Sequence, residues 1–333
     1  MDPISQAAIG ATAAQSFSRK TGLKASLIAG VIGGTMPDLD VLIRSADDPL
    51  LFLDYHRHFT HALVFIPFGG VIAAVAGRVV MRGRHTVRDL WAPATLGWAT
   101  HGLLDSCTSY GTFLLWPFSS ARIAWHNVAI IDPLFTLPLV AAALLAMRRK
   151  NRSIARTGFV LGVLYLLLGL VQRDRAAALY ATLQADRNHA AISTEVKPSL
   201  ANNFLFRGFY EYDGHYYADA IRVPWFGDAQ IYEGEKIKAI IIDTLTDGLE
   251  ERHAEDVRRF ARFSNGFLVR DPRNPGIISD FRYAAVPNQI APLWGIDLGG
   301  AEPGKHLNFH RFNAVTPTMR KEFEQQLRGQ RSD

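Results

Sequence analysis

Residues 157–172, TGFVLGVLYLLLGLVQ, contain no charge and show no polar face. A helix that is apolar all round has to be buried, either in a large protein core or in lipid. Three other stretches resemble it. Residues 62–77 carry no charge, residues 90–104 none apart from the titratable His101, and residues 129–147 only Asp132. Residues 5–17 and 23–35, rich in Ala and Gly, read as two further helices, the second ending at Pro37. Each run is shorter than the roughly 20 residues that cross a bilayer and needs flanking residues to do so, so a water-soluble bundle is the competing reading. Residues 173–333 instead have the composition of an ordinary soluble domain. The expected fold is mainly α, with a membrane-embedded helical bundle over 1–172 and a smaller soluble α+β domain over 173–333.

The tail supplies its own signals. Residues 174–190 read as an amphipathic helix. Phe204 to Tyr212 and His215 to Val223 flank Asp213-Gly214, a strong hairpin turn. A strand is expected at 236–243, a helix at 249–263, and strands at 266–270 and 277–286. Cys107 is the single cysteine, which excludes an intramolecular disulfide and a zinc–thiolate cluster. The first residues, Met1 to Gln6, lack the basic start and apolar core of a cleavable signal peptide.

The net charge of +5 does not point to nucleic acid, because the basic residues gather in short loops between apolar runs. One loop, 78–88, holds Arg78, Arg82, Arg84 and Arg88. The other, 148–156, holds Arg148, Arg149, Lys150, Arg152 and Arg156. Placing both on the cytoplasmic side fixes a threading. Residues 23–35 then run outward from Arg19, Lys20 and Lys24. Asp38, Asp40, His56, His58, His61, His101, Asp105 and Asp132 all arrive at the non-cytoplasmic side. Residues 173–333 are delivered there too.

That gathering carries the functional argument. His101 and Asp105 lie four apart, so on a helix both side chains leave from one face. A carboxylate in such apolar surroundings costs several kcal/mol unless it is paired. A divalent metal would use both groups, and mixed His/Asp sets suit zinc above all, with manganese or iron as alternatives. The candidate ligands are Asp40, His56, His61, His101, Asp105 and Asp132. Asp38 is a candidate general base, and Arg57, like Arg122, a candidate to hold a phosphate. Each residue also has a plainer reading. Asp132-Pro133 is a good helix N-cap, His101 with Asp105 makes a buried hydrogen-bonded pair, and His56-Arg57-His58 a solvated basic loop.

The succession Pro37-Asp38-Leu39-Asp40, His56-Arg57-x-x-Thr60-His61, His101-Gly-Leu-Leu-Asp105-Ser-x-Thr108-x-x-Gly111, Leu115-Trp-Pro117-Phe-Ser119 and Ile130-Ile131-Asp132-Pro133 resembles the YdjM-like family of bacterial inner-membrane proteins. The likeness covers roughly residues 1–172. It implies a multi-pass inner-membrane protein with metal-dependent hydrolase chemistry at Asp38, Asp40, His56, His61, His101 and Asp105, with Asp132 as companion. That family typically begins with a Thr-His pair where this chain has Ser5-Gln6, and Gln6 is a weaker ligand. Through His-x-x-x-Asp on a helix, the arrangement is also similar to zinc-dependent phospholipase C and P1-type nuclease folds, which favours a phosphoester over a peptide, and the expected place of the site near the outer headgroup level suggests a lipid or lipid-linked one. The competing function is a non-catalytic membrane protein that binds a structural metal, lipid headgroups or a protein partner. An ion pathway is a third reading, weakened by the lack of matching carboxylates at the basic end.

Overall fold

The computed structural model describes residues 1–17, 21–312 and 315–330; Arg19 and Lys20 lie outside the described residues. In chain order the α-helices are α1 (Pro3–Phe17), α2 (Leu23–Thr35), α3 (Leu51–Tyr55), α4 (Ile66–Val80), α5 (Val87–Cys107), α6 (Pro133–Arg148), α7 (Arg152–Asp186), α8 (Ile242–Thr246), α9 (Glu251–Phe263) and α10 (Pro317–Arg328). The strands are β1 (Thr194–Pro198), β2 (Leu205–Tyr212), β3 (His215–Arg222), β4 (Gln230–Tyr232), β5 (Lys236–Lys238), β6 (Leu268–Asp271), β7 (Asn274–Asp280), β8 (Trp294–Asp297) and β9 (Asn308–Arg311). The chain forms two compact units. One comprises Met1–Leu42, Tyr55–Val171 and Leu200–Asn203, the other Ile43–Asp54, Gln172–Ser199 and Phe204–Asp333.

The first unit is helical, and its interior is made of small residues. Ala25, Ala29, Ala73, Ala74 and Ala94 pack around Leu90 and Trp98. Helices α1, α2 and α5 approach so closely that a Cβ on Gly30 would strike the carbonyl of Gly10, and one on Gly97 the carbonyl of Gly30. Small residues at such crossings are how helices associate in lipid, where burying apolar side chains gives no advantage over leaving them in the bilayer. The large apolar side chains point outward instead: Phe68, Val71, Ile72 and Val75 on α4, and Leu161, Leu164, Leu167 and Val171 on α7. Contiguous apolar exposure of this kind suits lipid rather than water.

Among the described residues three segments are long and apolar enough to cross a membrane: Leu23–Leu42, Leu63–Val80 and Arg152–Asp186. The extra length comes from 3₁₀ turns at Met36–Leu42 and Leu63–Phe65. Helix α5 starts on a capping box in which Thr86 and Asp89 satisfy each other's backbone N–H groups. The separate helix expected at 174–190 is the continuation of α7, a single helix of 35 residues. Nothing after Gln172 stops it: RDRAAALYATLQAD contains neither Gly nor Pro and is rich in strong helix formers.

The second unit holds two antiparallel sheets. In one, the order β1-β2-β3-β4 has β5 also pairing with β3; in the other the order is β6-β7-β8-β9. The β2–β3 hairpin turns at Asp213-Gly214, where both residues have positive φ, 48° and 66°, as a type I′ turn needs. Strand β2 is buried on both faces. Phe206 and Tyr210 pack on Ala176 and Tyr180 of α7, while Phe209 packs on Phe267 and Phe281. The strand expected at 236–243 is shorter than read: β5 ends at Lys238 and α8 begins at Ile242. Ile242 and Leu245 then meet the core at helical spacing. Residues 44–58, read only as a polar stretch, contain two core side chains of this unit, since Leu50 and Leu53 pack with Val257, Phe260 and Leu268.

Candidate metal centre

Helix α2 stops where Pro37 follows Met36, and the chain tightens into the 3₁₀ segment Met36–Leu42 that carries Asp38 and Asp40. His56 follows α3, and His61 ends a 3₁₀ turn at Phe59–His61. Between them Arg57 has φ 63°, a left-handed conformation uncommon for a side-chain-bearing residue. Its backbone N–H is held by Asp40 Oδ2 at 2.9 Å. His101 and Asp105 sit one turn apart in α5, both fully buried.

Four donor atoms converge. His61 Nε2 and His101 Nε2 are 2.9 Å apart. Asp38 Oδ1 lies 3.5 Å from the first and 3.4 Å from the second. Asp105 Oδ2 lies 3.4 Å from His61 Nε2 and 3.8 Å from His101 Nε2. Four ligands at metal–ligand distances of about 2.0–2.1 Å in a tetrahedron stand about 3.4 Å from one another, and these separations bracket that value. Asp105 Oδ2 is buried and accepts no hydrogen bond. Arg57 Nε is 3.1 Å away, close enough for an ion pair but poorly directed. A buried carboxylate oxygen without a hydrogen bond, facing two imidazole nitrogens, fits a cation.

The surrounding bonds orient these donors. His101 Nδ1 donates to the Gly34 carbonyl at 2.7 Å, which leaves Nε2 as the free lone pair. His61 Nδ1 faces Thr60 Oγ1 at 2.9 Å and Asp40 Oδ2 at 3.3 Å. Burial alone would lower the His61 pKa, but the carboxylates of Asp105, Asp38 and Asp40 outweigh it and raise it to about 10.

The structure thus brings Asp38, Asp40, His56, His61, His101 and Asp105 together, in two overlapping groups: Asp38/His61/His101/Asp105 and Asp38/Asp40/His56. Asp38, read from sequence as a base, stands among the donors of the buried group. Asp40 reaches that group as the partner of His61, and His56 Nδ1 bonds Asp40 Oδ1 at 2.8 Å. Arg57 is buried; its Nη1 donates to Thr108 Oγ1 at 3.1 Å and its guanidinium lies over Tyr110. Asp132 belongs to neither group. It caps α6, accepting the N–H groups of Leu134 and Phe135 and the Tyr165 hydroxyl.

Sequence reasoning gave no role to Thr60, Thr108 or the Gly34 carbonyl. Thr60 and Thr108 stood inside the quoted motifs, which was the available signal. Gln6 is fully buried and donates from Nε2 to Asp105 Oδ1 at 2.9 Å, so position 6 does border the cluster.

The family model described as YdjM inner membrane protein matches residues 1–176. The inner membrane protein YbcI of Escherichia coli (strain K12) is 32% identical over 108 residues, which are 31% of this chain and 61% of that protein. The uncharacterized protein YfhP of Bacillus subtilis (strain 168) is 27% identical over 118 residues, 35% of this chain and 36% of that one. The chain therefore spans between about a third and three-fifths of the length of these curated relatives. No solved structure matches the chain.

Proposed function

The chain belongs to the YdjM inner membrane protein family, and from that premise and the geometry of its His/Asp cluster we propose a membrane-bound, metal-dependent hydrolase acting on a phosphoester. The observation that carries this reading is the meeting of His61 Nε2, His101 Nε2, Asp38 and the unbonded Asp105 Oδ2. These four would hold the ion. When bound, a divalent metal lowers the pKa of a water and polarises a phosphoryl oxygen. The chain's own residues orient and charge-balance the site. Gly34 fixes the His101 tautomer, Asp40 and Thr60 fix His61, and Arg57 with Gln6 holds Asp105 in place. Arg57 acts here as a positioning residue, being committed to Asp105 and Thr108, rather than as the phosphate-holding cation.

Metal identity follows from access. Zinc with all four donors is closed, as in structural sites, whereas six-coordinate manganese or iron keeps positions for water and substrate. The Asp38 side chain, 27% exposed, is the open edge of the buried group. Full-length protein in detergent is expected to hydrolyse members of a panel of phosphodiesters and phosphomonoesters, lipid-linked ones included. Asp105→Asn should lower turnover by roughly 100-fold or more, since losing even a partner of a ligand costs roughly 10–100-fold. Metal-loaded protein inert across the panel would favour the second reading, a structural metal, which the full burial of the other three donors, His61, His101 and Asp105, supports.

We also propose that the basic loops 78–88 and 148–156 face the cytoplasm, with the cluster at the non-cytoplasmic headgroup level. Single cysteines placed at Gly83 and at Ser120, in a Cys107→Ala background, test this with a membrane-impermeant thiol reagent on intact cells. Labelling at position 120 alone is expected; labelling at position 83 alone would invert the topology.

A further inference from the structure

We propose that the cluster holds two cations, one buried and one at its mouth, with Asp38 shared between them. This rests on the metal-hydrolase reading and specifies its site. The two donor groups, Asp38/His61/His101/Asp105 and Asp38/Asp40/His56, have ligand atoms within 4.8 Å of one another inside each group, and Asp38 is their common member. Asp38 Oδ1 lies 3.5 and 3.4 Å from the two imidazole nitrogens, and a carboxylate has a second oxygen with which it can bridge two ions.

Asp40 is divided in the same way. Its Oδ2 accepts the Arg57 backbone N–H and the Thr60 hydroxyl, both at 2.9 Å. Its Oδ1 is bonded to His56 Nδ1 at 2.8 Å. A carboxylate oxygen and an imidazole nitrogen this close are both donors that a divalent cation accepts as ligands. Asp40 would give up only that bond, because Oδ2 keeps its two donors and holds the carboxylate in place.

Exposure separates the two positions. The His61, His101 and Asp105 side chains are fully buried, whereas Asp38 is 27% and His56 32% exposed. The inner position has four protein donors. The outer one has three and opens to solvent, so the outer ion retains sites for water and a phosphoryl oxygen. Paired ions of this sort clamp the attacking and leaving oxygens of a phosphoester. The buried ion completes the scaffold and the mouth ion meets the substrate, which reconciles the enclosure of the four donors with hydrolysis.

The test is metal stoichiometry on full-length protein in detergent. The protein is stripped with chelator, loaded with manganese, passed through gel filtration and measured by elemental mass spectrometry, with manganese electron paramagnetic resonance on the same samples. Wild type should retain two equivalents and show the broadened signal of a spin-coupled pair. His56→Ala and His56→Gln should each retain one equivalent and give an uncoupled signal. Two variants guard against a packing defect, and a one-third exposed side chain leaves the other partners of Asp40 intact. Wild type saturating at one equivalent overturns the two-ion site and leaves the hydrolase reading standing. Two equivalents unchanged by both His56 variants likewise overturn it. Wild type retaining none overturns both.

Discussion

Protein carrying His101→Ala together with Asp105→Asn is expected to come out of detergent purification without metal, whereas wild type and Asp132→Asn retain it. His101 and Asp105 supply two of the four donors around the buried position. Replacing a hydrogen-bond partner of a ligand already costs roughly 10–100-fold in affinity, so removing two ligands should exceed that. Asparagine at 105 is chosen because it keeps the shape of the aspartate and an oxygen that can accept from Gln6 or Arg57, whereas alanine would leave a cavity as well as removing the charge that faces Arg57 and the Met1 ammonium. Asp132→Asn is the informative control. It keeps an N-cap side chain on α6 and touches neither donor group, so its metal content should match wild type. Metal retained by the double variant, in protein that still elutes as a single species, would remove α5 from the site.

Asp219→Ala should destabilise the second unit by about 3 kcal/mol, the low end for breaking a buried ion pair. Asp219 is 1% exposed and ties separate segments of that unit together. It accepts the Tyr180 hydroxyl at 2.9 Å, Arg187 Nη1 and Nη2 at 2.9 and 2.8 Å, and the Gly234 N–H at 3.0 Å. One of these bonds comes from α7, two from Arg187 just past its end, and the fourth holds the chain just before β5, so all tie to β3 through Asp219. After truncation Arg187 keeps Glu233, whose side chain is 70% exposed, so part of its charge stays compensated by water and the loss does not reach the upper end of the range. Urea unfolding followed by Trp fluorescence reads the change. Arg262→Ala, which removes a solvent-exposed pair with Glu255, should leave the midpoint where it is. If Asp219→Ala unfolds with Arg262→Ala, the network does not carry the sheet.

What the sequence disclosed depends on how local each signal is. The four-residue spacing of His101 and Asp105 is set by helix geometry alone, and both side chains do face one cluster. The Asp213-Gly214 turn was equally legible, because positive φ at two successive residues is a backbone demand that few residue pairs meet. Asp132 shows the limit. Asp-Pro before an apolar run reads the same whether the carboxylate caps its own helix or reaches across to a metal, and only the fold shows that it caps α6. Gln6 lies 99 residues from its partner Asp105, a contact that no periodicity encodes. The end of α7 was misread for a related reason: a change from apolar to charged residues at Arg173 marks a change of surroundings, not a loss of helical hydrogen bonding. Strands β8 and β9 are four residues each, too short for an alternating pattern to stand out.

The excursion of Ile43–Asp54 bears on how this chain can be divided. Asp40 and His56 flank a segment whose Leu50 and Leu53 are core residues of the second unit, and whose Asp48 and Asp54 both pair with Arg259 on α9. The chain is therefore not two cassettes in tandem. Cutting it after Val171 would leave these side chains without their hydrophobic core. The second unit thus takes a segment from between two candidate ligands of the first, and a duplication, fusion or deletion confined to residues after Val171 would divide it.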